Sequence, residues 1–292
     1  MKILQKEHSI LPGFGPTLGL TMFYLTLVVL LPLSTLAINS ATLGFQAPGT
    51  GFWEGIGRGI SEFGSIVTSR RVLASLRVTF GTALLAAFLN LFLGGIVAYA
   101  LVRIKLPLKR VIDALIDLPF AMPTAICGIA MATMYAPAGP VGSLAAKLGI
   151  KIAFTPLGIT LAMVFIGMPF VVRALQPALE DLGHELEDAA MSLGASRFTA
   201  WRRVVVPALA PPLVAGFTLA FARGLGEYGT VIFIAGNMPL KTEVTSLLIV
   251  TQLEQFNYPG ATAIALTMLL ASLLLIFGIN CFFNRKYRQA RG

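Results

Sequence analysis

Arg223 and Glu227 stand four residues apart inside a stretch, Val204 to Ala235, that is otherwise largely apolar. That spacing puts two side chains on one face of a helix, so they either neutralise each other or leave a charge facing water or protein. Asp113 and Asp117 repeat the spacing just ahead of Pro119 and Pro123. Asp117 is expected to cap a helix or to lie at the membrane–water boundary, with a proton relay as the alternative. The usual catalytic sets are missing. His8 and His184 have no second ligand at any metal spacing, so no metal site is expected. Cys127 and Cys281 both fall in apolar runs, where a thiol reads as a small buried hydrophobe. No nucleophile–base set appears, and no G-x-x-x-x-G-K-[ST] phosphate cradle.

The elements that must hold these residues follow from composition. Of 292 residues, 56% are hydrophobic and only 12% charged, and the mean hydropathy is +0.82. A soluble domain carries about 25% charged residues, so this chain reads as an all-α integral membrane protein. The net charge of +9 is a matter of topology rather than of nucleic-acid binding, because most basic residues lie in short loops. Crossing about 30 Å of hydrocarbon takes roughly 20 apolar residues of helix. Six spans are predicted: Thr17 to Ile38, Val78 to Val102, Leu118 to Ala136, Phe154 to Val172, Val204 toward Ala235, and Ala261 to Phe283. Pro119 and Pro123 should bend or loosen the start of the third.

The first span follows Lys2 and Lys6, as a signal peptide would, but its apolar run is too long and begins too far from them, so an uncleaved helix is favoured. Fourteen of the 22 Lys and Arg residues fall on one set of connecting segments and seven on the other, with Arg223 inside a span. The positive-inside rule then places both termini in the cytoplasm, together with the connection between the fourth and fifth spans. Asn39 to Arg77 forms the largest segment on the opposite side and is expected to be partly ordered.

That cytoplasmic connection, "HELEDAAMSLGASRFTAWRRVVVP", is polar and helix-forming. His184 to Leu193 favours a helix, Gly194 sits where a helix end needs a positive φ, and Ser196 can cap a second helix. Ala189, Ala190 and Ala195 provide small side chains, Phe198 and Trp201 anchors, and Pro207 falls early in the returning span, where its missing N–H costs least. On spacing alone, two short helices lying on the membrane surface account for the passage equally well.

The passage resembles the cytoplasmic signature of ABC importer permeases: Glu-Ala-Ala, three residues, Gly, nine residues, two aliphatic residues one apart, then Pro. Here these are Asp188-Ala189-Ala190, Gly194, Val204, Val206 and Pro207. Asp188 stands for the usual glutamate, although Glu187 precedes it, and valines stand for the usual Ile and Leu. The segments "LPGFGPTLGLTMFYLTLVVLLPL", "DLPFAMPTAICGIA" and "GEYGTVIFIAGN" are similar to the T (or U) branch of sulfate/thiosulfate importers. The resemblance implies a type I permease fold in a bacterial inner membrane, with 1–71 as tail, first span and outer loop, 72–284 as permease domain and 285–292 as basic tail. It implies a coupling helix carrying Glu187, Asp188, Ala189, Ala190, Gly194, Ala195, Ser196, Arg197 and Pro207. The implied partners are a second, W-type permease, two ATPase subunits that bind ATP and Mg, and a periplasmic sulfate-binding protein. A dianion travelling through such a permease could meet Arg223, Glu227, Tyr228, Asn237, Pro119 and Pro123. Two alternatives remain: a molybdate or other oxyanion permease, and an ion-coupled secondary transporter using Glu227.

Overall fold

The computed structural model describes residues 14–45 and 51–289. Lys2, Lys6, His8 and Arg291 lie outside the described residues, as do the side chains of Arg285, Lys286 and Arg288. Thirteen helical segments are used below, in chain order. α1 is Phe14–Ala41, α2 Phe52–Val67, α3 Arg70–Arg103, α4 Lys109–Ala121, α5 Thr124–Tyr135 and α6 Pro140–Lys147. α7 is Pro156–Leu182, α8 Glu185–Ser192, α9 Arg197–Ala208, α10 Ala210–Leu225, α11 Val231–Ile234, α12 Thr245–Glu254 and α13 Tyr258–Gln289.

Among the described residues, α1, α3, α7 and the Tyr258–Phe283 part of α13 are long and apolar enough to cross a membrane. Two further crossings are bent pairs, α4 with α5 and α9 with α10, which brings the number to six if each pair is one span. The third predicted span is therefore corrected. It is a 110° corner rather than a kinked rod. Met122 precedes Pro123 and is extended (φ −92°, ψ 136°), because a following proline ring crowds the helical conformation. Pro119 lies inside α4, while Pro123 starts α5.

The fourth span also departs from expectation. α7 runs on to Leu182, so Arg173, the residue just past the predicted end of the span at Val172, stands inside a helix. The fifth turns by 65° at Leu209, with Pro207 before it and Pro211 and Pro212 after it, and ends at Leu225 instead of continuing toward Ala235. Prolines leave a further mark. π-helical turns at Thr26–Leu30 and Trp201–Val205 each end two residues before a proline, Pro32 and Pro207. Widening the turn relieves the clash between the proline ring and the carbonyl four residues earlier.

The centre is formed by α3, α7 and α10, and small residues bring their backbones together. A methyl on Gly94 of α3 would lie 3.0 Å from the Val171 Cβ of α7, and one on Gly216 of α10 3.1 Å from the Val171 Cα. Val171 is thus clasped from two sides. A methyl on Gly167 would come within 2.3 Å of the buried Asn90 amide. Beyond these three helices, α12 packs along α3 and α13 with Thr245, Leu247 and Leu248 buried. Sequence reading left α12 and α2 inside outer connections, because neither is long enough to register as a span.

Candidate functional site: the cytoplasmic elbow and the buried charge clusters

α7 ends at Gly183, whose φ of +59° turns the chain away from the helix axis. α8 follows and stops in a full Schellman motif: Ala195 N–H donates to Ala190 C=O (3.1 Å) and Gly194 N–H to Met191 C=O (2.9 Å). Gly194 has φ +87°, and an added Cβ would meet nothing within 4 Å. The glycine therefore answers to backbone strain, not to crowding. Ser196 is the N-cap of α9, its Oγ accepting from Thr199 N–H at 3.3 Å. The result is a two-helix elbow of the expected shape. Leu193 at its tip is 91% exposed and Phe198 68%. Asp188, Ala189, Ser196 and Arg197 are exposed, Ala190 and Ala195 partly so. Pro207 lies where α9 leads back to the membrane.

Glu187 is placed differently from its neighbours. It turns inward, 16% exposed, to form an ion pair with Arg103 at 3.1 Å, and Arg103 is only 5% exposed. The same guanidinium donates to Gly183 C=O. The last turn of α3 thereby holds both the start of the elbow and the end of α7. Behind the elbow lies a crevice of about 730 Å³, lined by Tyr99, Arg103, His184, Met191, Arg197 and Trp201 among others. The partner of Arg103 is 84 residues away, and no local pattern in the sequence marks the pair.

A second cluster joins α7 to α4. Arg173 donates to both carboxylate oxygens of Asp117 (Nε at 2.9 Å, Nη2 at 2.5 Å), to Asp113 Oδ1 at 3.2 Å and to Gln176 Oε1 at 2.6 Å. The i,i+4 aspartates are thus a fork for one arginine rather than a cap. A T-shaped contact between Phe120 and Phe170, 5.1 Å between centroids, closes the same seam.

The third cluster surrounds the end of α10. Arg223 Nη1 is 2.5 Å from Glu227 Oε2, and Glu227, 2% exposed, also accepts from Thr230 N–H at 2.8 Å. Thr230 in turn donates to Thr124 C=O at 3.1 Å, the residue after Pro123. A methyl on Gly229 would sit 2.1 Å from Thr124 Oγ1. The bend at Pro123 and the turn that follows α10 are therefore neighbours. Tyr228 packs on the main apolar cluster, while Asn237, with φ +44°, is exposed on the following loop. Across α12, Ser246 Oγ donates to Glu227 C=O at 3.0 Å. Three residues earlier, Glu243, 1% exposed, accepts two bonds from Arg71 (2.8 and 2.6 Å). Sequence reading missed this pair, which links positions 172 apart. Among the described residues no group of His, Cys, Asp and Glu is disposed to hold a metal ion.

An all-helical bundle bearing a cytoplasmic elbow matches the family described as binding-protein-dependent transport system inner membrane component, over residues 90–289. The chain belongs to that family. It is 44% identical over 286 residues, 98% of either chain, to the sulfate transport system permease protein CysT of Escherichia coli strain K12. It is 43% identical over 269 residues to the protein of the same name from Synechocystis, covering 91% of this chain and 89% of that one. The fold is shared with a solved bacterial ABC transporter involved in importing the acidic polysaccharide alginate. That likeness has a TM-score of 0.72 at 15% identity, covering 93% of this chain and 94% of the other. A second structure, in complex with an alginate-bound periplasmic protein, gives a TM-score of 0.70 at 16% identity over 94% of both chains. As a member of this family the chain is a multi-pass permease subunit of the inner membrane, and transport rather than catalysis is its activity.

Proposed function

We propose that the chain is the transmembrane subunit of an ATP-driven importer that passes sulfate and thiosulfate from a periplasmic binding protein to the cytoplasm. The observation that carries this reading is the 44% identity, end to end, with a permease named for sulfate transport. The chain has no phosphate cradle of its own, so the energy of ATP must arrive by contact. The elbow suits that role. It is rigidly terminated at Gly194, capped at Ser196 and exposes Leu193 and Phe198. ATP and Mg belong to two ATPase subunits, each seating one elbow; the second elbow comes from a W-type permease. The Lys and Arg bias supports an orientation with both termini on the ATPase side.

ATP-driven closure of the ATPase pair draws the two elbows together. The helices move as stiff bodies, because packed interfaces switch between arrangements instead of stretching. Gly183 passes the displacement to α7, Pro207 and Leu209 pass it to α10, and the Arg103–Glu187 pair carries it into α3. Along the path, Arg223 offers a dianion only weak attraction, since Glu227 already compensates its charge. Weak contact favours release, which leaves selectivity to the binding protein. An ion-coupled mechanism would need a membrane carboxylate free to exchange protons. Glu227 is engaged by Arg223 and by the Thr230 N–H, which speaks against it.

The test is uptake of radiolabelled sulfate into liposomes holding the complete complex, with molybdate as competitor. Uptake should follow ATP and not a pH gradient. Gly194→Asp should abolish it while the chain still inserts. Uptake driven by a pH gradient without ATP, or selective for molybdate, would reject the reading.

A further inference from the structure

α2 is a surface helix with a sharply divided circumference. At 100° per residue, Phe52, Trp53, Ile56, Ile60, Phe63 and Val67 share one arc, and Glu54, Arg58, Ser61, Glu62 and Ser65 occupy the opposite one. The polar side is satisfied in water: Arg58 and Glu54 pair at 2.5 Å with both side chains more than half exposed. The apolar side is covered by the chain only in part: Ile56, Phe63 and Val67 are half-buried, while three side chains near its start and middle project outward. Trp53 is 82% exposed, Ile60 70% and Phe52 66%.

Its position is fixed from both ends. Near its start, Gly55 and Gly59 lie against the turn at 43–45 that follows α1; a methyl on Gly44 would sit 1.8 Å from Gly55 C=O. At its end, only Thr68 and Ser69 separate it from α3, and Ser69 caps α3 by accepting from Val72 N–H. α1 leaves the membrane where α3 enters it, so α2 is pinned at the membrane surface opposite the elbow.

We propose that α2 lies in the plane of that surface, with Phe52, Trp53 and Ile60 buried among the glycerophospholipids at the headgroup–acyl boundary. Amphipathic helices with Trp and Phe on the apolar face occupy this depth, where the rings meet both media. A protein partner fits less well. Three projecting side chains fall well short of the roughly 800 Å² that each partner commits to a stable interface. A lipid surface needs no such shape match. The inference does not depend on the transported anion or on the ATPase partner.

Two measurements test it. In a Cys127→Ala, Cys281→Ala background, nitroxides are attached through Trp53→Cys, Ile60→Cys, Ser61→Cys and Ser65→Cys, one at a time. The assembled transporter is placed in phosphatidylethanolamine–phosphatidylglycerol liposomes, and collisions with oxygen and with a nickel chelate are compared. The oxygen-to-nickel ratio should be several-fold higher at 53 and 60 than at 61 and 65. Equal ratios at all four positions would overturn the proposal, as would screening of 53 and 60 from both reagents, since a protein would then cover the face. The second measurement uses Trp201→Phe, which leaves Trp53 as the sole tryptophan of the chain. Reconstituted alone with brominated phosphatidylcholine, its fluorescence should fall by at least half. Quenching by aqueous acrylamide but not by the brominated lipid would refute lipid burial.

Discussion

The cytoplasmic elbow and the Glu227 region are both charged interruptions of an apolar chain, yet they are built in opposite ways. The elbow is exposed and assembled from neighbours. Its terminating bonds, Ala195 to Ala190 and Gly194 to Met191, and its cap, Ser196 to Thr199, span five residues or fewer. The Glu227 region is buried and assembled from distant segments: Thr230 meets Thr124 across 106 positions, and nearby Arg71 meets Glu243 across 172. An exposed motif that must meet another protein has to keep its shape by itself. A buried charge needs a partner, and the partner can come from anywhere in the fold.

This contrast can be broken most sharply at Glu243. Arg71→Met strands a carboxylate that is 1% exposed. Removing one partner of a fully buried pair costs about 3–5 kcal/mol; Arg71 is 39% exposed, so water offsets part of this, and the variant should show a clearly lowered thermal unfolding midpoint in detergent. Arg71→Met with Glu243→Gln should recover most of the loss, because an amide tolerates burial better than a lone charge. Failure of the double variant to recover would mean that Arg71 packs rather than compensates.

A smaller effect is expected at the elbow. Gly194→Ala forces a side chain into the left-handed region at φ +87°, which costs roughly 1–2 kcal/mol locally. Global unfolding should barely move, whereas ATP-driven uptake should drop several-fold. Equal damage to both readouts would deny the elbow its independence from the bundle. Where the two kinds of region touch, the effect falls between classes. A double-mutant cycle with Arg103→Met and Glu187→Gln should give a coupling of about 1 kcal/mol in thermal stability. Uptake should respond to either single change. The smallest effect belongs to Ser196→Ala, which removes one cap and should cost about 0.5–1 kcal/mol of local helix stability, seen as faster amide exchange at Thr199 alone.

The same division explains how much was legible beforehand. Helical membrane class, the place of the elbow, its break at Gly194 and its cap at Ser196 follow from composition and short-range pattern. The Arg223–Glu227 pair was legible too, because four residues on a helix are neighbours. The span limits were less so. Arg173 reads as lying outside the fourth span because a charge at the end of an apolar run ordinarily marks the membrane edge, yet here α7 continues to Leu182. Nothing local shows that Asp113 and Asp117 wait for it on α4.

By itself, then, the sequence determined what lipid and the backbone enforce: long apolar helices, an elbow where glycine permits φ above zero, and corners where proline forbids the helical angle. Only the tertiary structure decided which charges meet. Arg103 with Glu187, Arg173 with Asp113 and Asp117, and Arg71 with Glu243 are each chosen by the packing of separate helices. The physical reason is range. Backbone preferences act over a few residues and leave a written trace, whereas an ion pair depends on distance in space, which the order of residues along the chain does not record.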